Sequence, residues 1–264
     1  MNELDLFTII IPTHSRPILL RRALQSLAAQ TYKHFQVIIV DDDAAYVPPF
    51  ESFRALEGRY TYVIRSGFSG PAVSRNMGLS LAKSKYVVFL DDDDTFEPTH
   101  LQSLADYIVR NNPELVFCDF KVCFEDRTKE TPERLGIEGV SLSDVTVDSI
   151  FVRNRIPNSC LTYRLNVLKN VMFDSSMTIY EDWDFLMACL GGRNLDYLQV
   201  DSVFIHKSHA NAPQNMRRGN THDELIVETM LQLYRKYPGS NSAVTLARRA
   251  LLSNAGISVP SDIC

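Results

Sequence analysis

Asp91, Asp92, Asp93 and Asp94 form an unbroken acidic run directly after the apolar stretch Tyr86 to Leu90. Unit charges about 4 Å apart repel by roughly 1 kcal/mol in water and roughly 4 kcal/mol at an effective dielectric of 20, so packing alone does not explain the run. A hard divalent cation would relieve the repulsion, and oxygen-only donors favour Mg²⁺ or Mn²⁺. Part of the run can instead be a solvated turn. Glu181, Asp182 and Asp184 make a second acidic group in the first turn of an expected helix, where the dipole and nearby amides keep a carboxylate ionised and able to accept a proton. Residues 181 and 182 would point about 100° apart there, so one of the two is expected to face a ligand. The segment Ser69 to Gly78 opens another helix, whose free amides and Arg75 could hold an anion, and Gly78 permits close helix packing. Trp183 reads as core.

These groups need a scaffold that brings distant segments together. Phe7 to Ile11 reads as a buried parallel strand that Pro12 ends, and Pro17 then opens a helix with Leu20, Ala23, Leu24 and Leu27 on one face. Phe35 to Val40 is a second strand and Tyr60 to Arg65 a third. Gly67 to Pro71 makes a turn into a helix marked by Val73, Met77 and Leu81, and Tyr86 to Leu90 is the fourth strand. Strand alternating with helix implies a mainly parallel α/β sheet with right-handed crossovers, which binds ligands at the carboxyl ends of its strands. Thr13 to Arg16, Asp41 to Asp43 and Asp91 to Asp94 fall at those ends. Farther on, Leu101 to Ile108 reads as helix, Leu115 to Asp119 as strand, Glu125 to Gly139 as an exposed hairpin or loop, and Leu161 to Val171 as helix. Tyr197 to His206 is strand-like, and two amphipathic helices, Glu224 to Tyr237 and Ser242 to Ser253, complete the pattern.

The net charge of −5 argues against general nucleic-acid binding. From Lys207 onward seven bases (Lys207, Arg217, Arg218, Arg235, Lys236, Arg248, Arg249) outnumber four acids (Asp223, Glu224, Glu228, Asp262), so these helices could touch an anionic membrane surface. No run is long and apolar enough to span a membrane and Met1 to Leu6 does not read as a signal peptide, which points to the cytoplasm. The five cysteines, an odd number without CxxC spacing, read as reduced thiols.

Phe7 to Arg16, Val37 to Asp42, Ser74 to Gly78, Phe89 to Asp94, Tyr180 to Asp184 and Phe204 to His206 resemble, in order and spacing, the motifs of family 2 glycosyltransferases of the GT-A fold. The resemblance implies a GT-A domain over 1–206, with a nucleotide-binding half (1–119) and an acceptor half (120–206), followed by a helical extension over 207–264. It implies an inverting transfer from a nucleotide-diphosphate sugar, commonly a UDP-sugar, to a glycan or lipid-linked acceptor in bacterial surface polysaccharide synthesis. Pro12, Thr13, His14, Arg16, Asp41, Asp42, Arg75, Asp91 and Asp92 would hold the nucleotide, Asp93 and His206 the metal, and Asp182 would be the base; His209 is an alternative to His206. His14-Ser15 stands where the family has Tyr-Asn. Asp43-Ala44 stands where it has Gly-Ser, which leaves open whether Asp41 or Asp42 faces the base.

Two other readings compete. Val87 to Thr95 matches the strand-then-DxDxT motif of haloacid-dehalogenase-type phosphatases, and a catalytically silent sugar-nucleotide binder would share most of the same residues. A dinucleotide-dependent oxidoreductase lacks support, since no GxGxxG follows the first strand.

Overall fold

The computed structural model describes residues 5–43, 49–67, 70–129, 131–208, 223–254 and 256–257. Its first half alternates strand and helix: β1 (Phe7–Thr13), α1 (Pro17–Ala28), β2 (Phe35–Asp41), the short α2 (Phe50–Phe53), β3 (Tyr60–Ile64), α3 (Pro71–Leu81) and β4 (Tyr86–Phe89). After the aspartate run come β5 (Thr95–Phe96), α4 (His100–Asn111), β6 (Leu115–Cys118), β7 (Phe120–Asp126), β8 (Glu133–Val140), α5 (Val147–Val152) and β9 (Leu161–Arg164). The last elements are α6 (Glu181–Leu190), β10 (Asp196–Leu198), β11 (Val203–Ser208), α7 (Asp223–Lys236) and α8 (Ser242–Asn254).

A seven-stranded sheet in the order β10-β6-β9-β4-β1-β2-β3 forms the centre. β1 to β4 run parallel, and β9 is antiparallel to both neighbours. A four-stranded sheet, β5-β11-β7-β8, stands beside it. Asp91 to Asp94 therefore lie where the chain passes from one sheet to the other.

The strands and helices of the first half match the sequence pattern, with instructive differences. Pro12 does not end β1: the strand pairs with β2 through Thr13 opposite Asp41. The Ile10 carbonyl accepts from Leu90 N–H, so by alternation Pro12 faces the β4 side, where pairing has ended at Phe89, and its missing N–H costs no ladder bond. Leu161 to Val171 is not a helix but β9 followed by a 3₁₀ turn. β9 is buried on both faces between β4 and β6, so it shows no alternation that would mark it as a strand. Tyr197 to His206 divides into β10 in the large sheet and β11 in the small one. The expected hairpin is β7 and β8.

In α3 the buried face is Ala72, Ser74, Arg75 and Gly78 rather than Val73, Met77 and Leu81. Small residues let this helix lie close on β1. A Cβ on Gly78 would stand 2.4 Å from Ile10 Cγ2, and Ile10 is fully buried and cannot step aside. Gly78→Ala is therefore expected to destabilise the fold by about 1–2 kcal/mol, overpacking outweighing the better helix propensity of alanine. Urea unfolding measures this, and unchanged stability would contradict so close a contact.

α7 and α8 join the main hydrophobic core through Met230, Leu233, Tyr234 and Leu252. Tyr234 Oη donates to the Val152 carbonyl, and fully buried Arg248 donates through Nε to Phe151 O at 2.8 Å and through Nη2 to Tyr237 O at 2.8 Å. No described helix is long and apolar enough to cross a membrane. Cys118, Cys123, Cys160 and Cys189 are buried free thiols. His209, Arg217, Arg218 and Cys264 lie outside the described residues.

Candidate functional site

The carboxyl ends of β1, β2 and β4 meet the first turns of α3 and α6 around a cavity of about 660 Å³. Of the residues expected there, Pro12, Thr13, His14, Arg16, Asp42, Arg75, Asp91, Asp92, Asp93 and Asp182 line it. Thr178, Ile179, Tyr180 and Glu181 complete the α6 side, and α7 adds Ile226.

Each aspartate of the run has its own partner. Asp94 N–H donates to the Asp91 carbonyl at 3.0 Å, closing a tight turn that fans the four side chains apart. Arg75 Nη2 donates to Asp91 Oδ1 at 2.8 Å, and Asp92 takes Thr13 Oγ1 at 2.7 Å and Arg16 Nη1 at 3.2 Å. Asp93 Oδ2 takes Arg127 Nη1 at 3.3 Å. Asp94 takes Ser159 Oγ at 2.7 Å and the His206 N–H at 3.2 Å. Repulsion within the run is thus answered by three guanidiniums and does not itself require a metal, contrary to the expectation from sequence. The donor chemistry nevertheless fits one. Asp91, Asp93 and Asp94 each bring a carboxylate oxygen to within 4.8 Å of the others, an oxygen-only set suited to a hard divalent ion, and the first two reach the cavity.

Asp41 and Asp42 part company. Asp42 lines the cavity, held by His14 Nδ1 at 2.6 Å, Arg65 Nη2 at 3.0 Å and Gly70 N–H at 2.7 Å. Asp41 is fully buried, bonded to Tyr62 Oη and the Asp43 N–H, and does not reach the cavity wall. Strand alternation sends consecutive side chains to opposite faces, so β2 can offer one of them.

At α6 both Glu181 and Asp182 line the cavity, where helical spacing suggested one. Tyr180 begins the helix in a left-handed conformation, φ 61°. Arg75, 4% exposed, bridges Glu181 Oε1 and Asp91 Oδ1, each at 2.8 Å, and so ties α6 to the end of β4. Asp182 accepts from Trp183 N–H at 2.8 Å, yet loss of hydration, with the neighbouring Glu181 carboxylate, pushes its carboxyl up to about 6 despite Arg75. The helix dipole does not win there: burial dominates, and Asp182 is a stronger base than an exposed aspartate. Burial likewise pushes Asp92 up to about 6 against the pull of Arg16. Asp184 points inward to Lys236, and Trp183 is core, its Nε1 donating to the Ile150 carbonyl.

His206 is not brought to the cavity. Its Nδ1 meets Glu125 Oε1 at 2.6 Å and its Nε2 meets Thr95 Oγ1 at 2.9 Å, so both ring nitrogens are engaged behind the aspartate turn. Burial lowers its proton affinity. Cys123, Glu125 and His206 also cluster within 4.8 Å, but Arg22 and Arg127 both bind Glu125, placing two cations where a metal would sit. Burial works to raise the Glu125 carboxyl, and His206 with the arginines holds it down to about 2.

Sequence reasoning missed Arg65, Arg22, Glu125, Arg127 and Ser159. Arg65 follows β3 at the same strand ends as the recognised groups and could have been found by that rule. The others carry no local signal.

Residues 8–172 match the family described as Glycosyl transferase family 2. The chain is 26% identical to the succinoglycan biosynthesis protein ExoW of Rhizobium meliloti (strain 1021), over 94% of this chain and 87% of that one. It is 29% identical to the poly(ribitol-phosphate) beta-N-acetylglucosaminyltransferase TarP of Staphylococcus aureus (strain N315), over 64% of this chain and 49% of TarP, so it spans about half of that relative. The crystal structure of S. aureus TarS 1-349 in complex with UDP-GlcNAc shares the fold, with a TM-score of 0.66 at 18% identity over 93% of this chain and 71% of that one. The family match sets aside the phosphatase reading of Val87 to Thr95 and the silent-binder reading. A mixed, mainly parallel sheet with its acidic turn between β4 and β5, matched over most of its length to one family, makes this chain a GT-A glycosyltransferase of family 2.

Proposed function

We propose that the protein transfers a sugar from a UDP-sugar to a hydroxyl of a glycan or lipid-linked acceptor, with inversion, in the synthesis of a bacterial surface polysaccharide. The observation that carries this reading is one strong carboxylate base, Asp182, in the same cavity as Arg75 and the Asp91 to Asp93 turn. The acceptor O–H loses its proton to Asp182, the oxygen bonds to the anomeric carbon, and the bond from that carbon to the diphosphate breaks. Thr13, His14, Arg16 and Asp42 would take the nucleoside, and Arg75 the diphosphate. Bound at Asp91 and Asp93, Mn²⁺ or Mg²⁺ would neutralise charge on the departing diphosphate.

UDP-GlcNAc in TarS and the N-acetylglucosaminyl transfer in the name of TarP support the donor class, and succinoglycan biosynthesis in the name of ExoW supports the pathway class. In this reading residues 1–119 bind the nucleotide, 120–206 the acceptor, and 207–264 form the helical extension, in a cytoplasmic protein. Peripheral membrane contact through α7 and α8 draws on less charge than the sequence count suggested, because Lys236 and Arg248 turn to internal partners. Purified protein given UDP-GlcNAc and a panel of glycan and lipid-linked acceptors is expected to release UDP and form a product of inverted anomeric configuration by NMR. Retained configuration would refute the single-displacement reading.

A further inference from the structure

Behind Asp93 lies a cluster that nucleotide binding and proton transfer leave unexplained. Glu125, 3% exposed, sits between two arginines: Arg22 of α1 reaches its Oε1, and Arg127, just beyond β7, donates from Nε to its Oε2 at 3.0 Å. Both arginines continue to Asp93. Arg22 Nη2 donates to its backbone carbonyl at 2.9 Å, and Arg127 Nη1 donates to its carboxylate. His206 closes the arrangement, its ring on Glu125 and its carbonyl accepting from Arg127 Nη2 at 3.1 Å.

We infer that Arg22, Glu125 and Arg127 form a clamp that positions Asp93 to bind the divalent cation, an inference that rests on the metal reading proposed above. One grip holds the backbone of Asp93 and the other its carboxylate, so both the location and the rotation of the side chain are set. The two grips come from different parts of the fold, α1 and the β7–β8 hairpin, and Glu125 locks them to each other. Arg127 cannot act as a loose counter-ion that swings aside when a cation arrives, because it is fully buried and fastened to Glu125 and the His206 carbonyl. Glu125 also offsets one of the two guanidinium charges, which limits the electrostatic penalty the clamp imposes on an incoming cation. Partners of this kind, one shell behind the ligand, fix ligand orientation and are worth about 10- to 100-fold in metal affinity.

The test is Mn²⁺ binding itself, read by loss of the free-ion EPR signal in the presence of UDP, for wild type, Arg22→Met, Arg127→Met and Arg127→Lys. UDP affinity in EDTA and thermal unfolding serve as controls. Each variant is expected to bind Mn²⁺ about 10- to 100-fold more weakly while keeping its UDP affinity in EDTA. Arg127→Lys should fail with the others, because an ammonium keeps the charge but cannot span three acceptors with one planar group. Folded Arg22→Met and Arg127→Lys proteins that bind Mn²⁺ as tightly as wild type, or more tightly, overturn the clamp. Should the Arg127 variants not fold, Arg22→Met decides alone, since that side chain is 26% exposed. A wild-type protein that binds UDP but no Mn²⁺ would instead remove the metal reading, and the clamp with it.

Discussion

Asp182→Asn is expected to lower kcat by about 10² to 10⁴ while leaving UDP affinity within a few fold, the usual scale for loss of a general base. The substitution keeps the shape of the side chain and its contact with Trp183 N–H. It removes only basicity. Because burial beside Glu181 raises the Asp182 carboxyl to about 6, wild-type kcat/KM should fall about tenfold per pH unit below that value. Asp92 is raised into the same range, so the acid limb belongs to Asp182 if the residual activity of Asp182→Asn lacks it. Stability should move the other way. A carboxyl raised in the folded state binds its proton more tightly there than in the unfolded chain, so the fold loses stability as pH rises from the ordinary aspartate range through about 6. Asp182→Asn should therefore melt higher than wild type at pH 7. Near-normal turnover, or a lower melting temperature with the acid limb intact, would take the base role from Asp182.

The parts of this molecule that sequence made legible are those where one local pattern has one outcome. β1, β2, β4 and α1 announce themselves because a buried parallel strand is an apolar run and a surface helix an apolar stripe. The acidic turn is conspicuous because nothing in a core calls for four aspartates. What escaped depends on distant partners. Leu161 to Val171 carries helical spacing at Leu161, Leu165 and Leu168, yet its first four residues are claimed as strand β9 by β4 and β6, which lie far from it in sequence. Asp41 and Asp42 are alike until the pleat of β2 assigns one to Tyr62 and the other to the cavity. A ligand role for His206 is implied by the family resemblance of Phe204 to His206. Only the small sheet shows that Glu125 and Thr95 already hold its ring. Arg127 sits in a charged hairpin that reads as a solvated loop, and its burial against Asp93 follows from β7 pairing with β11.

Excess EDTA is expected to abolish transfer and Mn²⁺ to restore it, with Asp93→Ala reproducing the loss. The reason is the charge the donor brings, not repulsion within the turn itself. Arg16, Arg75 and Arg127 already answer Asp92, Asp91 and Asp93. With Asp94, Glu181 and Asp182 included, six carboxylates still stand against those three guanidiniums, so a diphosphate arriving without a cation would enter a region of net negative charge. A unit charge about 4 Å from another costs roughly 4 kcal/mol at an effective dielectric of 20. That penalty grows as the bond to the anomeric carbon breaks and negative charge collects on the departing diphosphate. Lewis-acid stabilisation worth several kcal/mol, or about 10³-fold in rate, would then be lost on chelation. Asp93→Ala should match that loss in activity while its UDP affinity in EDTA stays within a few fold of wild type, since His14, Asp42 and Arg75 are untouched. Full turnover in excess EDTA would instead mean that the two arginines lining the cavity, Arg16 and Arg75, suffice to neutralise the leaving group, and that Asp91 and Asp92 serve to hold them in place.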